Sequence, residues 1–201
     1  MLQSLIQKKD DERMLSGELP HEIPVLPLRN VVAFPHTMLP LAIGIPRSVQ
    51  LLEDALDGER LIVLAAAIDP TIEEPGPDGI YRTGTLARIE RVVSLEDDDT
   101  AEYQIIVRGL MRVRIAEWMA EYPYLTAHVE PYHEVMENET EIEALRRELL
   151  ELARRMVSYF PQVPEEAIHI LDQVAEPDVL LYALASNLQL DVEQAQEVLS
   201  G

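Results

Sequence analysis

Two histidines and two glutamates crowd one short stretch, His128-Val129-Glu130-Pro131-Tyr132-His133-Glu134, and no other part of the chain comes closer to a metal-ligand set. A helical zinc motif needs two imidazoles one turn apart, with a glutamate directly after the first. Here a valine follows His128 and Pro131 bars a helix, so the stretch reads as a polar strand end and no metal is assigned. His36 stands between Pro35 and Thr37 without a visible second group. Acid–base catalysis needs a positioned partner, so a structural or solvent-facing place is expected for it. Lysine occurs only as Lys8 and Lys9, which removes a serine–lysine nucleophilic pair from the rest of the chain. Neither G-x-x-x-x-G-K-[ST] nor G-x-G-x-x-G is present, so no cradle for ATP or a dinucleotide is expected. With no cysteine, thiolate chemistry and disulfides are absent as well. The chain itself is therefore read as non-enzymatic, with no catalytic residue, cofactor or metal.

Charge narrows the partners. Thirty-seven Asp and Glu against sixteen Lys and Arg give a formal charge of -21. Such a surface repels phosphate backbones and anionic lipid, so neither nucleic acid nor a membrane is expected as a partner. The first residues hold no apolar core of signal-peptide length, and no run of about eighteen apolar residues occurs. A soluble, unsecreted, cytoplasmic protein is the expectation. At 201 residues the chain can bury a real core, roughly 70% of the surface its unfolded form exposes.

Three segments are expected to position whatever the chain binds. Residues 1–22 are polar, too poor in apolar side chains to cover a face, and read as a flexible leader. Residues 23–135 read as a β domain. It opens on Ile23 to Gly44, where Pro24, Pro27, Pro35 and Pro40 forbid a helix and favour short edge strands and sharp bends. Pro46 starts one short helix through Val49, Leu51, Leu52, Ala55 and Leu56, and Gly58 stops it. The apolar run Arg60 to Ala67 predicts a strand covered on both faces. Asp69 to Gly79, with three prolines and two glycines, predicts a loop. Period-two alternation over Tyr81–Val93 and Tyr103–Ile115 predicts a long hairpin, with Arg88, Glu90, Arg112 and Arg114 on its polar face and a bulge at Gly109. Leu125 to Glu130 adds a last strand, ended by Pro131.

Near Asn138 the period changes. Ile142, Leu145, Leu149, Leu152 and Met156 follow a 3, 4, 3, 4 spacing on one face of a long helix, with Glu143–Arg147 and Glu151–Arg155 pairs on the other. Shorter helices are predicted over Pro164–Val174, Asp178–Leu188 and Val192–Leu199, with Asp191 as an N-cap. Residues 136–201 thus read as a helical bundle, which makes the chain α+β: a mainly antiparallel, curled or barrel-like β domain with one short helix, then helices.

Binding residues are sought where bends expose apolar side chains. Phe34, Met38, Leu39 and Leu41 are the candidate substrate-binding set, because a contiguous exposed apolar patch marks a contact surface. Met111 and Met119, at strand positions, read first as core fillers.

The opening stretch, Pro27-Leu28-Arg29-Asn30-Val31-Val32-Ala33-Phe34-Pro35 followed by Pro40-Leu41, Gly44 and Ser48, closely resembles the start of the Lon protease N-terminal domain. Gly84-Thr85-Leu86-Ala87-Arg88-Ile89 and Val107-Arg108-Gly109 with Arg112 resemble that family's hairpin, and the similarity runs over about residues 23 to 200. The resemblance implies a PUA-like β fold and a helical extension upstream of an AAA+ ATPase and a serine–lysine protease, an ATP-dependent endopeptidase using ATP and Mg, so that the chain reads as its non-catalytic N-terminal fragment, truncated before the ATPase. It implies recognition of unfolded or damaged polypeptides and a contribution to hexamer organisation, with self-association through the helical part. The alternatives are a purely structural assembly module and a free-standing PUA-like ligand-binding protein.

Overall fold

A computed structural model describes residues 19–97, 100–132, 139–158 and 177–201. Six strands form one sheet: β1 (Ile23–Leu28), β2 (Met38–Ile43), β3 (Leu61–Ala66), β4 (Thr83–Asp97), β5 (Thr100–Ala120) and β6 (Thr126–Pro131). Helix α1 (Pro46–Asp57) joins β2 to β3, and α2 (Glu139–Ser158), α3 (Pro177–Ala185) and α4 (Val192–Ser200) follow the sheet. The strand order is β2-β5-β4-β3-β1-β6, and β6 pairs again with β5. That second pairing closes β5, β4, β3, β1 and β6 into a ring, so the mainly β, barrel-like architecture expected from the sequence is present. All ladders are antiparallel except β1 with β3.

The elements follow from local chemistry. Pro46 occupies the first turn of α1, where a missing N–H costs nothing, and Gly58 donates back to Ala55 at its end. Leu51, Leu52 and Ala55 face the sheet. Every residue of β3 is buried, as a strand covered on both faces requires. One apolar cluster lies around Val25, Val63, Leu86, Val113 and Ile115, and a second lies under α1 around Leu52, Ile62, Ile89, Ile105 and Val107. Of the expected leader, the described residues do not hang free. Leu19 packs on the first cluster, and Glu22 accepts a 2.6 Å hydrogen bond from Thr126.

β1 is not the edge strand that its prolines suggest; it lies between β3 and β6. Alternation explains how. Val25 N–H points toward the β6 side, where it donates to Leu125, and the Leu28 carbonyl points toward β3, where it accepts from Ala67. Pro27 shares the orientation of Val25, and β6 pairs with β1 only at Ile23 and Pro24. Pro24 shares the orientation of Leu28 but lies ahead of the β3 register, which starts at Val25. Neither proline removes a ladder bond.

The expected bulge is present. Ala87 pairs with Gly109 and Leu86 with Met111, so Leu110 is the extra residue. The polar face of the hairpin is not solvated throughout: Arg88 and Arg112 are buried. Arg112 donates to the Leu199 carbonyl at 2.8 Å, near the end of α4, and its guanidinium lies 3.9 Å from the Tyr132 ring centroid. Gln196 of α4 donates to Thr83 of β4.

The helical bundle expected over residues 136–201 is not shown among the described residues. Among the described residues, α3 and α4 cover the β domain, through a cluster of Val32, Phe34, Ala66, Tyr182, Ala185, Ala195 and Leu199. The helix read over Pro164–Val174 lies outside the described residues. In α2, Arg147 pairs with Glu143 at 3.2 Å as expected, while Leu145 and Leu152 of the apolar stripe are exposed. Asp191 caps α4 with a full capping box: it accepts from Gln194 N–H, and the Gln194 side chain accepts from Asp191 N–H. Asp191→Ala is expected to lower stability by about 1 kcal/mol in chemical denaturation, with the same denaturant dependence.

Candidate functional site

The four residues singled out for apolar contact do not form one patch. Phe34 is buried and stacks on Tyr182, with ring centroids 5.7 Å apart. It belongs to the core that holds α3 and α4, because the bend turns this side chain inward. Met38 is 55% exposed. Leu39 and Leu41 are half-buried against the cluster under α1. Of the methionines, Met111 packs on the first core cluster and Met119 is 40% exposed.

His36 is exposed and takes a φ of 61° in a tight turn, where Thr37 Oγ1 donates to Phe34 O and His36 N–H to Gly109 O. That role is structural. His128 lies beside His21, with ring centroids 5.1 Å apart and Nδ1 3.0 Å from the His21 carbonyl. His133 and Glu134 lie outside the described residues. Among the described residues no three His, Cys, Asp or Glu side chains group as metal ligands, and no described helix is long and apolar enough to cross a membrane.

The topology opens a cleft elsewhere. β2 and β6 take successive lengths of the same β5 edge, β2 along Tyr103–Arg108 and β6 along Val113–Ala120. β1 leaves β6 after Pro24, and no ladder joins β1 to β2. The seam between them is a cleft of about 580 Å³, lined by Val25 to Val31, Leu41 to Ser48, Leu51, Tyr124 and Leu125, with Glu73, Glu74 and Glu102 at its margin. Its walls are therefore two strands whose facing edges carry no ladder, over an apolar floor that includes Leu26, Ile43 and Leu51.

Around the mouth, Arg47 at the start of α1 donates to the Glu121 carbonyl at 2.5 Å, and its guanidinium lies 5.9 Å from the Tyr122 ring centroid. Tyr122 is 84% exposed. Tyr124 Oη donates to Asp54 at 2.8 Å. Burial, that hydrogen bond and the negative charges of Asp54 and Glu22 push the Tyr124 hydroxyl up to about 12. A raised pKa means that the neutral phenol is favoured by the fold. Its contribution to stability is complete below the ordinary value of 10.0 and is lost as pH rises through about 12. Tyr124→Phe should remove this alkaline step, which tyrosinate absorbance followed during titration will show.

Of the four candidates only Leu41 lines the cleft, which the sequence did not announce. Its lining is assembled from five segments far apart in the chain, and only the pairing of β2 and β6 along one strand brings them together.

Solved structures share this architecture. The N-terminal domain of a Mycobacterium avium complex Lon protease matches with a TM-score of 0.67 at 20% identity, over 90% of each chain. A Lon N-terminal domain protein from Xanthomonas campestris matches at 0.59 and 20%, again over 90% of each. The fold is thus that of Lon N-terminal domains. The profile of the ATP-dependent protease La (LON) substrate-binding domain matches residues 22–200, and the chain belongs to that family. Curated relatives agree: the Lon protease of Dictyoglomus thermophilum is 38% identical over 191 residues, 94% of this chain, and that of Flavobacterium johnsoniae 34% over 198 residues, 98% of it. The chain spans about a quarter of either relative, 24% in both cases.

Proposed function

We propose that this substrate-binding domain captures unfolded or damaged polypeptides by laying an extended segment into the seam between β1 and β2. The observation that carries the reading is the cleft itself, two strand edges without a ladder between them over an apolar floor. An unfolded chain offers free backbone amides and apolar side chains together, and a native one has hidden both. Strand addition at an open edge uses the first, and the apolar floor of the cleft uses the second. The captured segment is passed to the ATP-driven unfolding and proteolysis of a Lon-type enzyme, to whose other domains ATP and Mg belong. The test is binding of the 201-residue chain to a polypeptide in its unfolded and native forms. Preference for the unfolded form supports the reading, and equal, negligible binding to both contradicts it.

A second reading, a part in assembly, is favoured by the exposed Leu145 and Leu152 on α2. Self-association through that face predicts sedimentation above the monomer, reduced by Leu145→Glu with Leu152→Glu. A strict monomer at high concentration contradicts it.

A further inference from the structure

The cleft has an apolar floor and three glutamates at its margin. Glu73 and Glu74, from the loop after β3, and Glu102, near the start of β5, are all exposed at its margin. Glu102 is held over the cleft end, where its Cγ would lie 3.5 Å from a Cβ placed on Gly44. Asp54 stands at the Tyr124 hydroxyl, and Glu22 lies close enough to act on the same group. Two cations share the lining, Arg29 and Arg47. Arg47 is turned to the Glu121 carbonyl and the Tyr122 ring. The carboxylates outnumber the arginines in a molecule whose formal charge is already -21.

From this charge complementarity we infer that the cleft selects, among extended apolar segments, those flanked by Lys or Arg, and rejects those flanked by Asp or Glu. The inference rests on the capture reading above and adds its substrate class. Apolar contact and strand pairing are blind to the sign of flanking charge; the glutamates at the margin are not. Basic flanks meet Glu73, Glu74 and Glu102 where the segment leaves the cleft, and acidic flanks meet like charge there. Because these carboxylates are exposed, the discrimination is screened by salt and acts largely on the association rate.

The test uses the 201-residue chain and short fluorescent peptides that share one apolar core, flanked by Lys, Ser or Glu. At low ionic strength the Lys-flanked peptide is expected to bind about tenfold more tightly than the Glu-flanked one, the size that a few exposed ion pairs supply. The triple variant E73Q/E74Q/E102Q, all surface changes that keep side-chain size, is expected to bring the ratio close to one, and high salt to do the same in the unsubstituted chain. Equal affinity for the Lys- and Glu-flanked peptides overturns the selection while leaving capture standing. So does a ratio that survives the triple substitution. Failure of all three peptides to bind overturns capture and selection together.

Discussion

Gly109→Ala is expected to lower the stability of the chain by about 3–5 kcal/mol, several times the cost of an ordinary substitution. A Cβ at this position would lie 2.2 Å from the Phe34 carbonyl oxygen and 3.1 Å from the Pro35 Cα. Both are backbone, so neither can turn aside. Nor can the strand move away, since Gly109 O accepts from His36 N–H and Gly109 N–H donates to Thr37 O. The β-bulge at Leu110 and the turn leading into β2 are therefore locked together at one glycine. Denaturation monitored by circular dichroism measures the loss. A variant as stable as the parent would show that the close approach is not required.

Phe34→Ala is expected to cost a similar amount, about 3–5 kcal/mol, and to release α3 and α4 from the β domain. Phe34 is 3% exposed and stacks on Tyr182 within the cluster that joins those helices to Val32 and Ala66. Removing the ring leaves a cavity beneath α3 and strips the apolar part of the helix contact, while Arg112 still reaches the Leu199 carbonyl. Amide exchange should therefore accelerate in Pro177–Ser200 before it does so in β3 and β4. Unchanged exchange in both helices would contradict the assignment of Phe34 to this interface.

Phe34 also shows where sequence reading stops. A proline-flanked apolar stretch announces bends, and bends turn some side chains outward; which ones depends on what packs against them. Met38 does face solvent, whereas Phe34 is covered by Tyr182 from almost 150 residues later in the chain, and nothing local distinguishes the two. The same holds for Arg112. Alternation placed it on the polar face of the hairpin, yet the end of α4 lies over it, and an arginine that caps a distant helix looks locally like any other strand arginine. What depends on neighbours in sequence was legible: Pro46 and Gly58 bounding α1, the all-apolar β3, the bulge at Gly109, the N-cap at Asp191. The central place of β1 was not. Its prolines exclude a strand with ladders along both full edges, and they are accommodated because β6 departs after Pro24. That departure also opens the cleft, so the misread strand and the unforeseen site have one physical origin.

Capture in the seam requires that an unfolded polypeptide touch this domain there. Amide exchange of the 201-residue chain, compared with and without an unfolded polypeptide, addresses that directly. Protection is expected along Arg29 to Val31 and Leu41 to Ile45, and at Tyr124 and Leu125, with little change in α2. Protection confined to α2, or to the β2–β5 ladder around Met38 and Arg108 with the cleft unaffected, would contradict capture in the seam between β1 and β2.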